Sequence, residues 1–202
     1  LQIKTMSLSR KYGRTYHYPF SPGTTNDDRI NPDYWSDISK IETLVHTEKL
    51  DGENSCLNQY GVFARSHVAP TIHPWANYLK ERWHLIKNDL GDLEIFGENM
   101  YGIHSIAYKN IESYFYVFAV REGDQWLSWE EVKFYASMLD FPVVPEIPIH
   151  TKLKDVFDEN QNENSILEKW LTANLRMSWL ESVETAGKLG GFDPLTDKDC
   201  SE

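Results

Sequence analysis

The stretch His46-Thr47-Glu48-Lys49-Leu50-Asp51-Gly52-Glu53-Asn54 holds the residue types best placed to do chemistry. A lysine is followed two residues later by an acid, then by glycine, and five residues later by asparagine. An amine attacks an electrophile only when neutral, and a free lysine near pH 7 is almost wholly protonated. A lysine nucleophile therefore needs burial or a cationic neighbour. Asp51 and Gly52 are turn formers. An apolar run, 41–45, leads in, and a β-like run, 54–58, leads out. Lys49 is thus expected where a strand gives way to a turn, a rigid base with an open tip. Taken alone, the four-residue pattern reads better as a surface lysine in a hairpin turn.

The elements that must position it follow from periodicity. Ile41–Glu48 reads as a strand. Asn54–Asn58 and Val62–Ser66 read as a hairpin around Gln59-Tyr60-Gly61. His73–Asn88 reads as an amphipathic helix, with Pro74 at its first position and Trp75, Leu79, Trp83 and Ile86 as its buried stripe. Leu93–Glu98 and Tyr114–Val120 are rich in β formers. Ser128-Trp129-Glu130-Glu131 is a capping box, with Val132, Tyr135, Ala136 and Leu139 behind it. Phe141–Ile147 is short and extended, and residues 158–164 form an acidic, Asn-rich loop. A second capping box is read at Ser165-Ile166-Leu167-Glu168, heading a helical region to about Gly190 that breaks near Ser178. Residues 1–35 read as an N-terminal arm or loop. The sum is one α+β domain over 1–202, a mainly antiparallel sheet with flanking helices.

Four further stretches carry the chemistry beyond Lys49. Phe63-Ala64-Arg65-Ser66 ends the hairpin. Ile95-Phe96-Gly97-Glu98-Asn99-Met100-Tyr101-Gly102 puts an acid beside glycine at a strand end. Tyr114-Phe115-Tyr116-Val117-Phe118-Ala119-Val120 is an aromatic strand. Ser201-Glu202 closes the sequence. In this order, with Lys49, they resemble the covalent nucleotidyltransferases: ATP-dependent ligases and mRNA capping enzymes. The resemblance covers roughly residues 40–147. Asn54 stands where DNA ligases and capping enzymes usually have arginine. It resembles instead the second-type RNA ligases of the phage and RNA-editing branch.

That resemblance implies a nucleotidyltransferase, ATP-grasp-like ligase domain acting on RNA 5′-phosphate and 3′-hydroxyl ends, with ATP as cosubstrate and Mg2+ or Mn2+ as metal. It implies Lys49 as the nucleophile that takes AMP. Glu48 and its backbone would help read the adenine, Leu50 would lie beside the nucleotide, and Asn54 would contact phosphate or the metal-bound water network. Arg65 would hold ribose or phosphate, Glu98 would accept from ribose hydroxyls, and Phe118 would stack on adenine. Glu202 would open a metal-binding motif. The paired lysines expected after that motif are missing, so the sequence reads as truncated and slow to self-adenylylate. Two alternatives stand beside this: a DNA ligase or capping guanylyltransferase, and a nucleotide- or RNA-binding module without catalysis.

Composition sets the outer bounds. A length of 202 residues with 7 Trp, 11 Tyr and 9 Phe suffices for a substantial core. The net charge of −11 argues against a general nucleic-acid binder. Any basic patch must be local, and Arg10, Lys11 and Arg14 are the candidate. No apolar run is long enough to span a membrane, Cys56 and Cys200 lack metal spacing, and the histidines lack ligand spacing, with His67 beside Arg65 the one to watch. A cytoplasmic monomer is expected.

Overall fold

The run Glu53–Asn58 (β1) turns at Gln59–Tyr60 and pairs with Gly61–Phe63 (β2), with Cys56 opposite Phe63. In the computed structural model, which describes residues 7–17, 25–26, 28–38, 40–41, 43–162, 165–166, 168–174, 184 and 187–189, this hairpin seeds a five-stranded sheet. Leu93–Asn99 (β3) pairs with β1, Phe115–Glu122 (β4) with β3, and Gln125–Trp126 (β5) with β4. The order is β2-β1-β3-β4-β5, and every pairing is antiparallel. Helices Asn77–Ile86 (α1) and Trp129–Met138 (α2) complete the α+β architecture that the periodicity anticipated.

Period-2 alternation divides each strand between two faces. Leu57, Val62, Ile95, Phe115, Val117 and Val120 pack with Leu79 of α1 and with Val132 and Ala136 of α2 in the main core. The capping box at α2 is present: Ser128 Oγ accepts from Glu131 N (3.3 Å), and Ser128 N donates to Glu131 Oε2 (2.7 Å). Two of the four orphan amides of the helix start are thereby tied down.

The opposite face carries a buried ion cluster. Arg121 grips Glu94 with both ends of its fork, Nε to Oε2 at 2.7 Å and Nη2 to Oε1 at 3.0 Å. Arg10 reaches the same carboxylate at 2.7 Å and Asp124 at 2.6 Å. Arg121 also lies over the rings of Phe96 and Trp126, at 5.2 and 4.7 Å. Arg10, one of the candidate basic-patch residues, is thus committed to an internal ion pair. Cys56 is buried nearby, and burial pushes its thiol up to about 12. Cys200 lies outside the described residues.

A bulge sets the geometry of β4. Phe96 faces Ala119 and Gly97 faces Val117, so Phe118 is the extra residue. Gly97 is required there: a Cβ would lie 2.5 Å from the Phe115 ring and 2.5 Å from Tyr116 O. Val117 also bonds to the segment that follows α2, its N donating to Pro142 O and its O accepting from Val144 N, both at 2.9 Å.

Several local expectations are corrected. Ile41–Glu48 is not a continuous strand; only His46–Thr47 is extended in a ladder, and Ile41 and Val45 are exposed. The second hairpin strand stops at Phe63 rather than Ser66. The expected helix from His73 begins as a 3-10 turn, Pro74–Ala76, which rotates Trp75 out of the buried stripe; Leu79, Trp83 and Ile86 keep it. Before the Lys49 turn, Tyr34–Ile38 forms a short helix.

The chain divides into two compact units, one comprising residues 1–11, 47–145 and 183–202, the other 12–46 and 146–182. The sheet, α1 and α2 belong to the first. In the second, buried Asn174 accepts from His150 N and Thr151 N, both at 2.9 Å, and donates to Thr151 O and Trp170 O, both at 3.0 Å. Residues 168–174 are helical. At the start of this segment Asn162 Oδ1 accepts from Ser165 N at 2.8 Å. Leu167, Leu175 and the break near Ser178 lie outside the described residues.

Two stability outcomes follow. Burial raises the Glu94 carboxyl, but the hydrogen bonds from Arg121 and Arg10 outweigh it and hold it below the usual carboxylate range. A depressed folded value contributes stability above the unfolded value, about pH 4.3, and loses it as pH falls through the folded one. Urea denaturation should show this loss in acid, and Glu94→Gln should flatten it. That variant leaves Arg121 buried without its counter-charge and should cost about 3–5 kcal/mol at neutral pH. Gly97→Ala should cost about 1–3 kcal/mol by overpacking, checked by the same titration.

Candidate functional site

The site is built from a turn docked on the end of a strand. Glu48 N donates to Pro145 O at 2.8 Å, which fixes the entry to the turn. Glu48 and Leu50 are buried, at 2 % and 3 % exposure, and Lys49 between them is exposed. This alternation points the lysine side chain out while its neighbours anchor the backbone. Leu50 packs in a small second core with Met100, Tyr116 and Val144, and Phe118 lies against the same cluster.

The turn then presses on β3. Gly52 N donates to Glu98 Oε1 at 3.1 Å. A Cβ at Gly52 would lie 2.5 Å from Asn99 O and 2.9 Å from Met100 Sδ, so only glycine permits the approach. Asp51 does more than shape the turn. Its Oδ2 accepts from Ile106 N at 2.7 Å, and its own N donates to Tyr108 Oη at 3.2 Å. The 101–114 segment is thereby tied to the lysine turn. Ile106 is buried. Tyr116, whose hydroxyl accepts from Glu112 N at 2.9 Å, closes the far end of that segment, and burial raises its phenol above the ordinary tyrosine value.

Register brings the remaining residues into line. Asn54 stands opposite Glu98, and Glu98 opposite Tyr116, so all three project from one face of the sheet. Phe118, the bulged residue, is partly buried on that same side. Lys49, Leu50, Asn54, Glu98 and Phe118 therefore belong to one end and one face of the sheet. Arg65 is exposed just beyond β2 and lines a neighbouring cavity with Glu53 and Asn99. Glu202 lies outside the described residues. His67 takes no part in this turn; its Nδ1 meets Ser9 Oγ at 2.8 Å.

The role of Asp51 and the aromatic residues at 75, 101 and 108 escaped the sequence reading. For Asp51 the signal was present: an Asx side chain in a turn commonly bonds to backbone amides. It bonds here to an amide 55 residues away, which no local pattern specifies.

With this geometry in place, the comparison with known families is direct. The family profile described as RNA ligase matches residues 42–188, well over half of the chain. The matched span contains Lys49, Asn54, Arg65, Glu98 and Phe118. The chain belongs to the RNA ligase family, which makes it a ligase with RNA as its substrate. A search among curated proteins returned no significant match. No helix among the described residues is long and apolar enough to cross a membrane.

Asp51→Ala should cost about 1–3 kcal/mol by leaving the Ile106 amide unsatisfied. Hydrogen exchange at that amide should accelerate, while amides of α2, on the other face of the sheet, keep their protection. Unchanged exchange at Ile106 would show that the segment holds itself in place.

Proposed function

We propose that this chain is the adenylyltransferase domain of an ATP-dependent RNA ligase of the second-type branch, acting in RNA repair or processing. One observation carries the reading. Within the family-matched span, an exposed lysine sits on a turn that a glycine contact and a carboxylate bond lock against the strand carrying Glu98.

The chemistry would run in three displacements. Lys49 Nζ attacks the α-phosphorus of ATP; a P–N bond forms, the bond to the bridging oxygen breaks, pyrophosphate leaves and the amine proton passes to solvent. An oxygen of the RNA 5′-phosphate then attacks the same phosphorus, and the lysine is released as AMP joins the RNA end. A 3′-hydroxyl finally attacks the 5′-phosphorus, its proton is lost, and AMP leaves. In each step the requirement is in-line placement and compensation of phosphate charge.

The residues divide the work. Glu48 and Leu50 hold the backbone beside the nucleotide. Glu98, already accepting from Gly52 N, has acceptor capacity for a ribose hydroxyl. Asn54, opposite it, offers an amide to phosphate or to metal-bound water. Phe118 offers a flat face to adenine. Arg65 supplies a donor fork for ribose or phosphate. Among the described residues no group of three or more His, Cys, Asp or Glu side chains could hold a metal ion. Mg2+ or Mn2+ would then be carried mainly by phosphate oxygens and water, as is usual for Mg2+ in phosphoryl transfer, where it supplies charge neutralisation. Glu202 is the carboxylate proposed to join it.

Labelled ATP with magnesium tests the nucleophile. In the full-length protein Lys49→Ala should abolish covalent AMP labelling with an unchanged melting curve, and GTP should give no label with the wild type. Normal labelling of the folded variant would remove Lys49 from its role. Phe118→Ala should weaken ATP binding by about 1–3 kcal/mol if stacking dominates. Calorimetry reads this directly, and unchanged affinity with lowered stability would make Phe118 a packing residue only.

A further inference from the structure

Beside the lysine turn, in the same unit, lies a cavity of about 940 Å³ that Lys49, Glu98 and Phe118 do not line. Its walls include Glu53, Arg65, His73, Trp75, Tyr101 and His104. Three of its features point to a ligand, and two of them, the rings and Glu53, have no role in the adenylyl-transfer scheme.

The first is a set of exposed, fixed rings. His73 and Trp75 stack with centroids 4.2 Å apart and planes 8° from parallel. Tyr101 meets Tyr114 edge-on at 5.2 Å. Trp75 is 40 % exposed and Tyr101 53 %. One buried carboxamide holds both backbones: Asn99 Nδ2 donates to Trp75 O at 3.2 Å, and Asn99 Oδ1 accepts from Tyr101 N at 3.1 Å. Asn99 is itself 2 % exposed. Rings that could be buried are instead presented to an opening by a built-in clamp.

The second feature is Arg65, exposed at the rim and, among the described residues, in no ion pair. The third is Glu53, whose Oε1 is buried with no hydrogen-bond partner among the described residues. A buried acceptor without a donor is costly, and a ligand hydroxyl would satisfy it.

Stacking rings, a cation and a buried acceptor together match a nucleotide: base, phosphate and ribose. We propose that this cavity seats one unpaired nucleotide of the RNA strand, its base on the Trp75–Tyr101 rings, its phosphate at Arg65 and its ribose hydroxyl at Glu53. The inference rests on the reading above, which gives ATP to the Lys49–Glu98 end. A base inside a duplex has its faces stacked and its edge paired, so only a splayed-out base can use these rings. An acceptor for the 2′-hydroxyl separates RNA from DNA. With a single cation at the site, stacking rather than charge dominates, in keeping with the acidic chain.

Fluorescence anisotropy with a labelled single-stranded RNA decamer, without ATP, tests this. Trp75→Ala should weaken binding about 5- to 100-fold, and Trp75→Phe should retain most of it. Glu53→Gln should narrow the preference for RNA over the same DNA sequence. A fully paired nicked RNA duplex should be insensitive to Trp75→Ala. Wild-type affinity in a folded Trp75→Ala protein would overturn the proposal, as would equal weakening for the paired duplex. Loss of AMP labelling by Trp75→Ala would place the rings in the ATP site and also overturn it. If Trp75→Ala does not fold, Tyr101→Ala carries the same comparison. Absence of AMP labelling in the wild type would count against the ligase scheme, while the binding series would still decide the cavity.

Discussion

Everything at the candidate site depends on how closely the Asp51–Gly52 turn can approach the end of β3. The contact is closer than any side chain at position 52 would allow, because a Cβ would stand 2.5 Å from a strand carbonyl. Once the glycine is down, its amide meets the Glu98 carboxylate, and a charge-assisted bond fixes the turn against the sheet. Leu50 fills the small core beneath, and Asp51 reaches sideways to hold the 101–114 segment. Lys49 is left as the one side chain in this turn that points outward between two buried neighbours. The burial of its two neighbours fixes the backbone from which the lysine projects.

The sheet gives its two ends different work. At one end Asn54, Glu98 and Tyr116 stand in register, and the bulge at Phe118 turns that residue toward them. At the other, Arg121 and Arg10 converge on Glu94 beneath aromatic rings. A buried pair of this kind is weak evidence of added stability, since desolvation offsets much of the attraction. It does make other registers expensive: a one-residue slip of β4 would put Arg121 on the helix-packed face, among Leu57 and Ile95. Correct register is what lines up Asn54, Glu98 and Tyr116 at the candidate site.

The charge distribution bears on how an acidic ligase meets RNA. Arg10 and Arg121 are committed to Glu94. Arg82 caps the end of α2 by donating to Leu139 O and Asp140 O. These cations hold the fold rather than a phosphate backbone. With a net charge of −11, RNA recognition is proposed to rest on local features, the Lys49 turn and the aromatic cavity beside it.

Much of this was legible in the residue order. Period-2 runs marked β1, β3 and β4, the helical stripe marked α1 and α2, and Ser128–Glu131 marked a cap, because each is specified by neighbours within a few positions. Lys49 with Asp51 and Gly52 marked the turn for the same reason. What the order could not settle was anything requiring a distant partner. Ile41–Val45 looked like a strand, but its described residues join no ladder, and strand propensity is realised only against a neighbour. Trp75 fitted the helical stripe, yet a 3-10 turn set by Pro74 and the Asn99 clamp turns it outward. Asp51 finds its acceptor role 55 residues away, and Phe118 owes its placement to a bulge opposite Phe96 and Gly97, where a Cβ on Gly97 would strike Phe115 and Tyr116. The sequence determined which chemical groups are present and which local elements carry them. Tertiary packing decided which of those groups share a face, since that depends on contacts between segments that no local spacing encodes.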